Sequence, residues 1–118
     1  MNQIERKLFY TLIGGKIKSA RNKANLNQSE LAEEAGISRL TLANIESGKQ
    51  KPSIHIIWDI GESLGLNPQN LIPDLNEIRD ISNSDYFTGV NDYLKKNNKS
   101  DTIESVEILN FLKYSISE

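Results

Sequence analysis

At 118 residues the chain suits one small domain, or one with an appendage, and can bury a modest core without a metal or disulfide staple. It contains no cysteine, which excludes thiolate metal sites, disulfides and cysteine nucleophiles and fits a cytoplasmic setting; no apolar run is long enough to span a membrane, and Met1 to Leu12, with Glu5, Arg6 and Lys7, lacks the features of a signal peptide. The formal net charge of -2 is unevenly spread: residues 1–72 hold nine Lys/Arg against seven Asp/Glu, while residues 73–118 hold five against nine, so only the first part is suited to a polyanion.

The pattern is helical throughout, with prolines only at 52, 68 and 73, all at expected boundaries. Residues 3–12, with Ile4, Leu8, Phe9 and Leu12 at helical spacing, form a candidate extension that packs on the body or on a partner. Gly14-Gly15 is read as interrupting it. A first helix is expected over Ile13–Lys23, with Ile13, Ile17 and Ala20 on one face. A second is expected over Gln28–Ala35, capped by Asn27, with Leu31, Ala32 and Ala35 inward and Gly36 closing it. Ser38 caps a third, over Arg39–Ser47, whose anchors are Leu42 and Ile45. The run Ile54-His55-Ile56-Ile57-Trp58 is β-branched, but Ile57, Ile60 and Leu64 continue at helical steps, so a fourth helix is expected over Ser53–Leu64 with Ser53 as its cap. A short fifth covers Pro68–Ile72, with Asn67 as cap and proline at the first helical position.

From Pro73 the character changes. Pro73-Asp74 and Ser82-Asn83-Ser84-Asp85 read as linkers. Helices are expected over about Asp85–Lys96 and from Asp101 or Thr102 to about Ser115. The last carries Ile103, Val106, Leu109, Leu112 and Ile116 at steps of three or four, a stripe that must be buried somewhere. The expectation is therefore an all-α protein: a five-helix body over residues 1–72 and a helical oligomerisation region over residues 73–118.

The register of the first part is informative as a whole. Ile13-Gly14, Ile17-Lys18, Arg21, Asn27-Gln28-Ser29-Glu30-Leu31-Ala32, Ala35-Gly36-Ile37-Ser38, Ile45-Glu46-Ser47-Gly48, Pro52-Ser53 and Leu64-Gly65 together closely resemble the phage-repressor helix-turn-helix family (lambda repressor and Cro-like, or xenobiotic-response-element). The resemblance spans about residues 13–72. It implies a lambda-repressor-like fold, double-stranded DNA as partner, the third helix in the major groove, a palindromic operator and a homodimer or higher homo-oligomer.

Helix geometry leaves Ser38, Arg39, Leu40, Thr41 and Asn44 to face the groove. Arg39 can fork onto guanine, Asn44 can pair with adenine, and Leu40 or Thr41 can touch a thymine methyl. The resemblance assigns Gln28 to a phosphate, with Asn27, Ser47, Lys49 and Lys51 as helpers near the backbone. For Asn27 the alternative is capping alone, and for Lys51 a solvated loop lysine. Arg21 and Glu46 match the family's structural ion pair. His55, the only histidine, has no second ligand in view, and Trp58 is placed either in the core or at a subunit contact. No metal, cofactor or catalytic residue is assigned, because paired ligands and phosphate-binding glycine loops are lacking. A rival reading makes the chain an antitoxin-like protein that binds another protein through residues 73–118 and regulates its own synthesis through DNA.

Overall fold

The computed structural model describes residues 1–83. Among them the protein is all-helical: α1 (Gln3–Lys23), α2 (Gln28–Ala35), α3 (Arg39–Glu46), α4 (Ile54–Ser63), a 3-10 turn (Pro68–Leu71) and α5 (Leu75–Ser82). The expected helices beyond residue 83, with Ile103, Val106, Leu109, Leu112 and Ile116, lie outside the described residues.

Three helices begin on the same local device. Asn2, Asn27 and Asp74 each accept a hydrogen bond from the backbone N–H of the glutamate three residues on (Glu5, Glu30 and Glu77), at 2.8, 2.8 and 2.7 Å. Each glutamate carboxylate in turn accepts from the cap's own N–H. These reciprocal pairs satisfy N–H groups that a helix start leaves without partners. At the other end of α2, Gly36 adopts φ 72°, a left-handed conformation that costs glycine little, and turns the chain into α3.

Two apolar clusters share α1. In the larger, Ile13 and Ile17 meet Leu31, Ala32 and Ala35 of α2, Leu42 and Ile45 of α3, Ile57 and Ile60 of α4, and Leu71 of the 3-10 turn. In the smaller, Leu8 and Leu12 meet Ile78 and Ile81 of α5, with Ile4 and Phe9 at the rim. Within each pair, 8/12 and 13/17, the residues are one turn apart, and the two pairs lie about 140° from each other around the axis, so one helix serves two neighbours. Full burial of an aliphatic side chain contributes about 1.5–3 kcal/mol. Lys16 Nζ adds a half-exposed ion pair to Glu77 at 3.1 Å, a minor term at such exposure.

Several local readings change. Helix α1 starts at Gln3 and passes through Gly14-Gly15 without a break. The cost of two helical glycines, about 1 kcal/mol each, is outweighed by packing on both sides of them. Pro73-Asp74 is not a linker but the entry to α5, with Asp74 as its cap and Ile78 and Ile81 buried on α1. The packed structure therefore continues past Ile72. Ser53 occupies the N-cap position of α4 but makes no side-chain cap; its hydroxyl is hydrogen-bonded with His55 Nδ1 at 3.0 Å. The segment Pro68–Leu71 is a 3-10 turn, with the Asn67 side chain accepting from the Gln69 N–H.

Candidate nucleic-acid interface

Helix α3 is held from behind and open in front. Leu42, Ile45 and Glu46 are buried against the body. At 100° per residue the opposite face carries Leu40, Ala43, Asn44 and Ser47, flanked by Arg39 and Thr41. Leu40 is 68 % exposed and Arg39 beside it is exposed. The aliphatic group of Leu40 and the cation of Arg39 stand side by side at the front of the helix. The one acid of α3, Glu46, is 3 % exposed and turned away from this face. The front of α3 thus presents a cation, amide and hydroxyl groups and an aliphatic group, with no carboxylate.

Ser38 and Thr41 are tied to each other. Ser38 Oγ accepts from the Thr41 N–H at 3.0 Å and donates to Thr41 Oγ1 at 2.8 Å. That arrangement caps α3 and fixes both hydroxyls at its entry. Asn44 is partly buried, and its backbone carbonyl gathers the chain leaving the helix, accepting from the Lys49 and Gln50 N–H groups at 2.9 and 3.1 Å and from Ser47 Oγ at 3.1 Å.

The residues expected at phosphates gather around the far end of α3. Asn27 caps α2, and Gln28, the first residue of α2, donates from Nε2 to Glu46 Oε1 at 3.1 Å. Arg21 closes the arrangement, with Nε on Glu46 Oε2 at 2.7 Å and Nη2 on Oε1 at 3.0 Å. Its remaining nitrogen, Nη1, donates to the Leu26 carbonyl at 2.8 Å. Ser47 follows Glu46 directly, and Lys49 comes after Gly48. Lys51 Nζ stands 5.6 Å from the centroid of the Tyr10 ring on α1, close enough for a cation–π contact. Tyr10 was not among the expected site residues; it lies in the segment before Ile13, and no spacing in the sequence links it to the loop after α3. Ala43 was also missed. Its only signal is its position between Arg39 and Ser47 on the outward face, where a small side chain allows close approach.

Gly14 explains how α1 holds α3 in place. A Cβ there would meet the carbonyl oxygens of Ile45 and Glu46, the latter at 2.5 Å. Only a glycine lets the two backbones cross this closely. His55 is exposed, and Trp58, 59 % exposed, is not a core residue. No cluster of three or more His, Cys, Asp or Glu among the described residues could hold a metal ion. No helix among them is long and apolar enough to cross a membrane.

Residues 17–71, from the middle of α1 through the 3-10 turn, match the family profile described as helix-turn-helix. The control protein C.BamHI of Bacillus amyloliquefaciens is 34% identical over 62 residues, which are 52% of this chain and 76% of that protein. The chain belongs to the helix-turn-helix family of DNA-binding transcriptional regulators. Its likeness to the immunity repressor of Bacillus phage phi105 is 31% over 68 residues, covering 58% of this chain and 47% of the repressor. An HTH-type transcriptional regulatory protein of Methanococcus vannielii is 29% identical over 120 residues, covering 93% of this chain but 34% of its own length. The chain thus spans a third to a half of the length of these last two relatives. Among solved structures, the SinR protein/SinI protein complex contains a chain with TM-score 0.52 and 25% identity, matched over 87% of this chain and 93% of that one.

Proposed function

We propose that this helix-turn-helix protein is a sequence-specific repressor of transcription that binds a palindromic double-stranded operator as a homodimer in the cytoplasm. The observation that carries the reading is the front of α3, where Arg39 and the 68 % exposed Leu40 stand beside Asn44 while the only carboxylate of the helix is buried behind. In this reading α3 enters the major groove. Ser38, Arg39, Leu40, Thr41 and Asn44 read base edges, and Asn27, Gln28, Ser47, Lys49 and Lys51 hold phosphates. The body, which α5 extends past Ile72, binds DNA, and the part of residues 73–118 that follows α5 pairs the copies. The repressor role is supported by the likeness to a phage immunity repressor. No catalytic step, cofactor or metal enters this reading.

A second reading is favoured by one observation. The match to the SinR/SinI complex extends over 87% of this chain, well beyond the helix-turn-helix body. Residues 73–118 would then engage another protein, and that partner would set whether the operator is occupied.

Selection of bound duplexes from a random-sequence pool tests the main reading, because it yields half-site, spacing and symmetry together. Enrichment of an inverted repeat supports it. Recovery of unrelated sequences, or an affinity insensitive to salt, refutes it, since each phosphate neutralised contributes about 0.9 to the slope of log affinity against log salt.

A further inference from the structure

Glu46 is more than half of an ion pair. Its carboxylate is almost wholly buried, and Arg21 grips it through two hydrogen bonds, at 2.7 and 3.0 Å. Such a fork fixes both oxygens in direction as well as place. Oε1 also accepts from Gln28 Nε2 at 3.1 Å. Three elements therefore meet at one carboxylate: α1 through Arg21, the start of α2 through Gln28, and the last residue of α3 through Glu46 itself.

A carboxamide has two ends of nearly equal shape and opposite hydrogen-bonding character. Phosphate oxygens only accept, so Gln28 can hold a phosphate only through its amide N–H. A charged carboxylate at Nε2 decides which way the amide lies, because the flipped form would set Gln28 Oε1 against Glu46 Oε1. One hydrogen of Nε2 is used by Glu46, and the second meets no acceptor among the described residues.

We propose that Glu46 is a positioning residue for DNA binding: pinned by Arg21, it orients the Gln28 carboxamide so that the second N–H of Nε2 meets a backbone phosphate. The last turn of α3 and the anchor at the start of α2 then dock as one piece. The proposal rests on the reading of Gln28 as a phosphate contact.

The test is a cycle of variants, with affinity for a short mixed-sequence DNA duplex at low salt measured by fluorescence anisotropy and folding followed by thermal denaturation. Gln28→Ala should weaken binding about tenfold or more, as for a lost hydrogen bond to a charged group. Glu46→Ala strands the Arg21 charge in the interior and can unfold the protein. The informative variant is therefore Arg21→Met with Glu46→Leu, which removes the pair without changing net charge and replaces it with apolar groups of similar size, a change that commonly preserves the fold. It should melt cooperatively yet bind as weakly as Gln28→Ala. Adding Gln28→Ala to it should change affinity by less than about twofold, the usual limit of apparent additivity. If the Arg21→Met, Glu46→Leu double variant folds and binds like wild type, with Gln28→Ala still costing its full factor, the positioning role is overturned. A Gln28→Ala variant with unchanged affinity would overturn the reading of Gln28 instead, and a wild-type chain that ignores the duplex would overturn the DNA-binding reading; either removes the proposal with it.

Discussion

Replacing Gly14 by alanine adds one methyl group at the crossing of α1 and α3. In an open helix interior that change stabilises by about 1 kcal/mol. Here the new Cβ would lie 2.5 Å from the Glu46 carbonyl oxygen and 2.8 Å from its carbon, with the Ile45 oxygen also in the way. These are backbone atoms of a helix end, and no rotamer change moves them aside. Overpacking of a filled site costs about 1–3 kcal/mol, and a backbone obstacle belongs at the upper end or beyond it. After the propensity gain, a net loss of about 2 kcal/mol or more remains. For a body of this size each kcal/mol corresponds to roughly 4–8 °C, so Tm should fall by about 8–16 °C or more. The Arg21 Nε to Glu46 Oε2 bond of 2.7 Å spans the same crossing, so separating the helices also loosens that pair. Thermal denaturation by circular dichroism measures the effect, with Ser19→Ala on the exposed side of α1 as the propensity control. A Gly14→Ala variant as stable as wild type, or more so, would refute the argument that this glycine is held by close approach.

Other outcomes test other parts. Arg39→Ala and Asn44→Ala should change which half-site is selected, at about 1–3 kcal/mol per lost bidentate contact, whereas Gln28→Ala should weaken all sequences alike; selection with each variant distinguishes the two patterns. Ile78→Ala should cost about 2–5 kcal/mol in chemical denaturation if α5 is part of the packed structure, and an unaffected midpoint would mean that it is not. A chain ending at Asn83 should sediment as a monomer and bind a palindrome more weakly than the full protein. If it remains a dimer, the interface belongs to the body, where Ile54 (86 % exposed) and Trp58 stand one turn apart on α4.

What the sequence disclosed follows the physics of each signal. Helices α2 and α3 were legible because short-range chemistry marks their ends: Asn27 with Glu30, Gly36, and Ser38. The Arg21–Glu46 pair was legible only through the family register, since nothing local joins residues 25 positions apart. Gly14-Gly15 misled because low helix propensity is a local cost, while the reason for glycine at 14 is a backbone lying across it in space. Helix α5 was missed because eight residues offer little periodicity, and Pro73 suggested a break where Asp74 in fact begins a capping box with Glu77. The bond from Gln28 to Glu46 could not be read at all: its geometry exists only once α2 and α3 are folded against α1.

The sharing of α1 between two clusters has a consequence for how the molecule opens. Leu8 and Leu12 answer to Ile78 and Ile81, whereas Ile13 and Ile17 answer to the cluster built with α2, α3, α4 and the 3-10 turn. The first cluster is the smaller, so a partial opening that releases α5 and frays the beginning of α1 costs less than disrupting the body. Amide hydrogens along this one continuous helix should accordingly exchange with solvent in two regimes, fast up to Leu8 and slow from Ile13 to Arg21. A segment that tethers the following 35 residues to the front half of α1 can then come and go while α3 keeps its shape.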